Sequence, residues 1–295
     1  MTAPQLLTAH EKDLGGGFVV RRLLPAAPRQ AVGPFIFFDH FGPVTITPAD
    51  NHDVRPHPHI GLATLTYLFD GVILHRDNIG YTQRIEPGAI NWMTAGSGIV
   101  HSERRPEAER NVTYVNHGLQ LWLALPEADQ EVKASFAHTP ANAIPEVRDG
   151  AAQVRVLVGR ALGVESPVAT LSPTLYLDVQ LPAGCSWTLP LLAEEQAVYG
   201  VQGGLQIDAE AVAPHTMAVL ADAAVLTAGP EGARFVVIGG QPLGRRFIYW
   251  NFVSTSRERI EQAGRDWTAG DASAGMGQVP GETERIPLPE RTRPA

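Results

Sequence analysis

Cysteine is all but missing from this chain: Cys185 is the only one among 295 residues. A lone thiol excludes an internal disulfide framework and any zinc site built on four thiolates, and Cys185 is expected to pack as a small half-buried hydrophobe. Basic residues are in deficit. Lys and Arg number 23 against 31 Asp and Glu, a net charge of −8, which argues against a general grip on nucleic acid. No apolar run approaches the ~20 residues that a membrane-spanning helix requires. The richest stretch, 211–229, is broken by Pro214, His215 and Asp222. Residues 1–17 show no basic segment followed by an apolar one, so no export signal is expected and the cytoplasm is the expected compartment. G-x-S-x-G and H-E-x-x-H do not occur, which argues against the hydrolase and zincin chemistries that use them. The triplet Gly15-Gly16-Gly17 lacks the Lys-Ser/Thr of a phosphate loop and reads as a flexible turn.

What the chain does have is apolar material and many reversals. Hydrophobic residues make up 44% and charged residues 18%, with 29 Gly and 24 Pro spread throughout. That composition suits many short strands. At ~150 residues per domain the length predicts about two domains. Strands are expected over 62–69, 72–76, 82–85, 89–93, 99–103 and 114–125, with turns at 70–71, 78–80, 86–88 and 95–98. The same rhythm resumes over 154–158, 175–181, 197–201, 205–207, 217–220 and 235–238, so the expected fold is all-β, an antiparallel barrel twice over. The looser stretch 137–150 reads as a linker. Thr255 followed by Glu258 fits a capping box for one helix, whose stripe Ile260, Ala263 and Trp267 would pack on the barrels. Beyond Gly270 the chain reads as a tail or strap.

Histidine gives the first asymmetry, because nine of the ten lie within residues 1–138. His57-Pro58-His59 is the sharpest feature. Side chains two apart on an extended segment face the same way, and Pro58 favours extension of the residue before it. His101-Ser102-Glu103 repeats that spacing at the end of a later strand. If the two segments meet across a barrel wall, three imidazoles and one carboxylate converge. Such a set suits a divalent Fe, Mn, Co, Ni, Cu or Zn ion, and on an octahedral ion it leaves two positions open.

The surrounding residues resemble the pirin family of the cupin superfamily. The resemblance rests on Arg55–Gly61 (R-P-H-P-H-I-G), Thr66-Tyr67-Leu68, Gly71, His75-Arg76-Asp77, Pro87-Gly88 and Trp92–Glu103 (W-M-T-A-G-S-G-I-V-H-S-E). Pro34-Phe35 and Asp39–Pro43 are also similar, and the match is dense over about residues 15–125. Trp250–Val253 and Arg259–Gln262 match more loosely. The resemblance implies a bicupin: a metal-binding barrel over 1–140, a metal-free barrel over 151–250, and a helix and tail over 251–295. It implies one metal per chain, iron by preference, with His57, His59, His101 and Glu103 as ligands. Ala63 departs from the pattern, since pirins usually carry Glu there, and this affects the polar surroundings of the ligands.

Two functions follow as expectations. One is a metal-dependent quercetin 2,3-dioxygenase that takes a flavonol-like aromatic substrate and O2, with Glu103 as ligand or as the base that accepts the hydroxyl proton. The other is a regulatory protein that senses metal redox state and binds a protein partner. Weaker candidates have structural readings: His75 and Asp77 as a part-exposed hairpin pair, Asp39-His40 at a pocket mouth or in a loop hydrogen bond, His117 as a satisfied interior histidine, and Arg104 and Arg105 as a solvated pair. No second metal is expected, because from residue 150 onward His215 stands alone and no H-x-H or H-x-E pair recurs.

Overall fold

A computed structural model describes residues 3–15 and 17–290. Gly16 of the glycine triplet, residues 1 and 2, and 291–295 of the tail lie outside the described residues. Two seven-stranded antiparallel sheets lie at the centre of the molecule. The first runs in the order Ser135–Thr139, Ile90–Thr94, Leu62–Asp70, Tyr114–Ala124, Phe35–Ile46, Val19–Leu24, His10–Asp13. The second runs Gln5–Thr8, Thr216–Leu220, Glu195–Gln202, Ala233–Gly240, Thr174–Leu181, Ala152–Val158, Glu146–Asp149. Each is accompanied by a four-stranded sheet. In the first half of the chain that sheet is Val54–His59, Ile99–Arg104, Ile73–Asp77, Thr82–Ile85; in the second it is Ser186–Leu189, Ala224–Ala228, Leu205–Ile207, Glu210–Val212. Strand for strand, the connectivity is duplicated. The edge place held by Ser135–Thr139 in one sheet is held in the other by Gln5–Thr8, which crosses over from the start of the chain.

Period-two alternation explains why the central strands are apolar on both faces. In Leu62–Asp70 one face (Ala63, Leu65, Tyr67) packs with Trp92, Leu121, Tyr176, Tyr199 and Val236 in a core shared by both domains. The other face (Leu62, Thr64, Thr66) turns into the first barrel, where Leu62 joins Phe37, Met93 and Trp122. Ala63 therefore belongs to the inter-domain core.

One polar cluster crosses that core. Tyr67 Oη donates to Asp178 Oδ2 at 2.7 Å, and Arg234 grips the same carboxylate at 3.0 and 2.6 Å. Arg155 donates to Tyr67 Oη at 3.0 Å. Asp178 is buried, so its replacement by alanine leaves Arg234 and Tyr67 without their acceptor. Breaking a buried ion pair from one side costs about 3–5 kcal/mol, whereas Tyr67→Phe leaves the Asp178–Arg234 pair intact and removes two hydrogen bonds worth about 1 kcal/mol each. Thermal melts should show Asp178→Ala well below Tyr67→Phe; equal melting temperatures would refute this ranking.

Two expectations are corrected. The stretch 137–150 is not a loose linker, because Ser135–Thr139 pairs with Ile90–Thr94 and Glu146–Asp149 pairs with Ala152–Val158. The cap of the helix Arg257–Ala269 is Ser256, not Thr255: Ser256 Oγ accepts from Arg259 N at 3.2 Å and donates to Glu258 at 2.7 Å. Thr255 N is engaged elsewhere, by Gln130 Oε1. The stripe Ile260, Ala263 and Trp267 packs as expected, joined by Met276 and Val279 of the tail, against Ile60, Val100 and Phe252. Helix and tail thus cover Ile60 and Val100, which belong to the segments carrying the H-x-H and H-x-E motifs. No described helix is long and apolar enough to cross a membrane.

Candidate metal centre

The strands Val54–His59 and Ile99–Arg104 pair antiparallel, with His101 opposite His57 and Ile99 opposite His59. Three buried histidines, His57, His59 and His101, thereby bring one ring nitrogen each to within 4.8 Å of one another. Ring centroids lie 4.3 Å apart for His57–His101 and 5.0 Å for the other two pairs. Gly61, with φ +67°, turns the chain directly after this segment, where any Cβ would collide with the Val253 carbonyl.

Glu103 does not join the cluster. The register slips between His101 and Glu103, so Glu103 faces Val54, with the extra residue on the opposing strand near Pro56, which cannot donate to a ladder. Its carboxylate instead faces Thr66 Oγ1 at 3.4 Å, and Thr66 in turn bonds Gln120 Oε1 at 2.8 Å. Glu103 lines the same cavity as the three histidines.

Burial dominates the electrostatics. It lowers His57 to about 4, and it lowers His59 and His101 further with the help of neighbouring imidazoles, so all three are neutral near pH 7. Neutral imidazole is the form that ligates. Burial pushes the Glu103 carboxyl up to about 7, opposed by the Thr66 hydroxyl. His57 Nδ1 lies 2.9 Å from the Arg55 carbonyl, which fixes its proton there and leaves Nε2 as the lone pair. His59 Nδ1 and His101 Nε2 are buried without any hydrogen-bond partner. Buried nitrogens left unpaired are costly. A divalent ion at the convergence would satisfy them, and the donor set fits one metal ion.

Above the histidines opens a cavity of about 640 Å³, within the range of small-molecule sites. One wall is a continuous stack. Arg22, held by Asp39 at 2.8 Å, lies 4.3 Å over the Phe37 ring; Phe37 stacks on Trp122 at 4.0 Å; Trp122 meets His59 edge-on at 5.2 Å. Ile248, Trp250 and Ile286 bring the C-terminal segment to the same cavity. Sequence reasoning missed Phe37, Trp122 and Arg22 as site residues, because an aromatic in a strand carries no mark of which face it occupies.

The second domain repeats the strand pair but not the chemistry. In Ser186–Leu189 and Ala224–Ala228 the buried positions are Trp187, Leu189, Ala224, Leu226 and Ala228, all packed in the apolar interior. Among the described residues the three histidines are the only cluster of metal-ligating type.

Several weaker readings are corrected. His75 and Asp77 are not part-exposed; both are buried, 3.0 Å apart, and His75 Nδ1 lies 3.3 Å from His101 Nδ1. Arg104 is not free in solvent but is clamped by Glu282 of the tail at 2.6 Å and Asp53 at 3.5 Å, while Arg105 donates to the Thr47 and Asp50 carbonyls. Ser102, between His101 and Glu103, also bonds Glu282, at 2.7 Å. Asp39 lines the cavity, whereas His40 turns to the other domain, with Nδ1 2.7 Å from Tyr199 Oη and Nε2 2.7 Å from His117 Nε2. His117 is partnered there, part-exposed, and is no ligand of the centre. Cys185 is half-buried and free.

Comparison with known proteins agrees with this architecture. The Pirin family profile matches residues 17–123, and that of the Pirin C-terminal cupin domain matches 176–273. A pirin-like protein of Caulobacter vibrioides is 43% identical over 291 residues, covering 96% of this chain and 98% of that protein. Human pirin is 34% identical over 270 residues, covering 86% and 88%. The crystal structure of a quercetin 2,3-dioxygenase from Acinetobacter baumannii superposes with a TM-score of 0.89 at 31% identity, covering 99% of this chain and 97% of that one. With both halves matched and the histidine site in the first, this chain belongs to the pirin family of bicupins.

Proposed function

We propose that the protein is an Fe(II)-dependent quercetin 2,3-dioxygenase acting on flavonol-like substrates with O2. The observation that carries the reading is the site itself: three buried neutral histidines, two of them with a buried ring nitrogen that has no partner, at the foot of an aromatic-walled cavity. The similarity to the Acinetobacter baumannii quercetin 2,3-dioxygenase supports the substrate class. When bound, the metal would supply Lewis acidity and a redox-active meeting point for substrate oxygen and O2. His57, His59 and His101 would hold it, with Glu103 facing the same cavity from outside the cluster.

The chain's own groups do the rest. Phe37 and Trp122, stacked on each other, give the cavity an aromatic wall against which a flavonol would pack, its 3-hydroxyl directed to the foot of the cavity. Glu103 takes that hydroxyl proton at Oε2, its Oε1 lying beside the Thr66 hydroxyl at 3.4 Å. The apolar wall around it keeps bulk water off the deprotonated flavonol.

The test is an anaerobic titration of the Fe(II)-loaded protein with quercetin, followed by oxygen. The visible band of the flavonol should shift only when metal is present, then decay on oxygenation. Quercetin that disappears no faster than in buffer would refute the proposal. Glu103→Gln should keep the metal and lose about 100-fold or more in kcat, as expected when a positioned proton acceptor is removed.

A further inference from the structure

His75 and Asp77 have no part in the mechanism above, yet both are buried beside one of the three clustered histidines. Asp77 sits directly opposite His101 in the sheet, and His75 is one step diagonal to it. Two contacts link Asp77, His75 and His101 in a line, and two backbone amides anchor its far end. Asp77 Oδ1 accepts the backbone N–H groups of Ile79 at 3.1 Å and Tyr81 at 2.9 Å, so this carboxylate is held as an acceptor. Its Oδ2 lies 3.0 Å from His75 Nε2, and His75 Nδ1 lies 3.3 Å from His101 Nδ1. Phe136 stacks on the His75 ring at 4.3 Å and fixes its plane.

Donor and acceptor rules allow a single proton arrangement along such a line of neutral rings. A carboxylate acceptor requires a proton on His75 Nε2. His75 Nδ1 then carries a lone pair and must accept, so His101 Nδ1 must carry the proton. His101 Nε2 is left as a bare lone pair, and this is the buried nitrogen that finds no partner in the protein. We infer that Asp77 and His75 form a tautomer relay that presets His101 to offer Nε2 to the metal. His57 is preset differently, by the Arg55 carbonyl. Histidine ligands whose far nitrogen is so engaged are oriented and more basic, and loss of that partner costs about 10–100-fold in metal affinity. Asp77 and His75 are thus positioning residues.

The inference rests on the reading of His101 as a ligand, but its primary test needs neither metal nor substrate. Nitrogen-15 histidine spectra of the metal-free protein at neutral pH report which ring nitrogen carries each proton. His101 should be protonated on Nδ1 and His75 on Nε2. In Asp77→Asn the amide keeps its oxygen on the Ile79 and Tyr81 amides and turns its NH2 towards His75. Both rings should then flip tautomer, placing a proton on His101 Nε2, and Co(II) affinity measured by chelator competition should fall about 10–100-fold. His75→Phe keeps the stack on Phe136 and cuts the relay, so His101 should show mixed tautomers. The inference fails if metal-free wild type carries the His101 proton on Nε2, or if His75→Phe leaves the His101 tautomer unchanged. Expected tautomers in a protein that leaves quercetin intact would sink the dioxygenase reading alone.

Discussion

Replacing His57 and His101 together by alanine should take bound metal from about one ion per chain to less than about a tenth, with no second ion surviving elsewhere. These two residues face each other across the strand pair and supply two of the three clustered nitrogens. A single remaining imidazole cannot hold an ion against a chelator. The second domain offers no refuge, since its corresponding buried positions are Trp187, Leu189, Ala224, Leu226 and Ala228. The fold should persist, because the substitutions remove buried polar rings and leave the shared core untouched. Elemental analysis of protein purified under identical conditions, with circular dichroism as the control for folding, gives the answer. Close to two ions in wild type, one of them retained in the double variant, would refute a single N-terminal centre.

The site was legible because its signal is local. Two residues apart on a strand is the one spacing that guarantees a shared face, and H-P-H and H-S-E both show it. The strand rhythm was legible for the same reason, and most predicted strands lie within a residue or two of those observed. What stayed hidden depends on partners far along the chain. Nothing near Gln5–Thr8 announces that it will pair with Thr216–Leu220. Arg104 and Ser102 read as exposed or idle until the tail brings Glu282 to them across 178 and 180 residues. His75 and Asp77 looked like a hairpin decoration because alternation gives two faces but does not say which becomes covered. Glu103 shows the opposite limit: its spacing from His101 does bring it to the same cavity, but spacing alone does not fix how far its carboxylate reaches, and that carboxylate faces Thr66.

That tail has a bearing on the centre as well. Ile286 N donates to the Pro56 carbonyl at 2.8 Å, next to His57, while Glu282 fixes Ser102 and Arg104 on either side of Glu103. Both motif-bearing strands are therefore gripped from outside by one segment that sequence composition marks only as irregular. These contacts come from residues remote in sequence and brace the two short strands that hold the three imidazoles together.

A second histidine group makes the junction between the domains sensitive to acid. Lowering the pH from about 6.5 to about 4.5 should progressively destabilise the protein through His40, His117 and His215. His40 ties Tyr199 of the second domain to His117 of the first, with His215 5.2 Å away ring to ring. Burial first, then the neighbouring His117 and His215, lowers His40; burial and Arg21 lower His215; and burial with Arg234 and Arg21 lowers His117 to about 4, with Asp70 opposing. A histidine whose folded pKa lies below its unfolded value stays neutral in the native state and gains a proton on unfolding. Below pH 6.5 the unfolded chain therefore binds more protons, and stability falls until the folded pKa is reached. The fully buried His40 contributes most to this loss, and His117 and His215, being part-exposed, contribute less. Together they should lower the melting temperature by several degrees. The metal-site histidines change in the same range, so the measurement is a difference: melts of wild type and of His117→Gln across pH 7.5 to 4.5 under the same metal conditions. The variant should start slightly less stable, having lost the 2.7 Å bond to His40, and should lose less on acidification. Parallel curves for the two proteins would show that the inter-domain histidines play no part in acid stability.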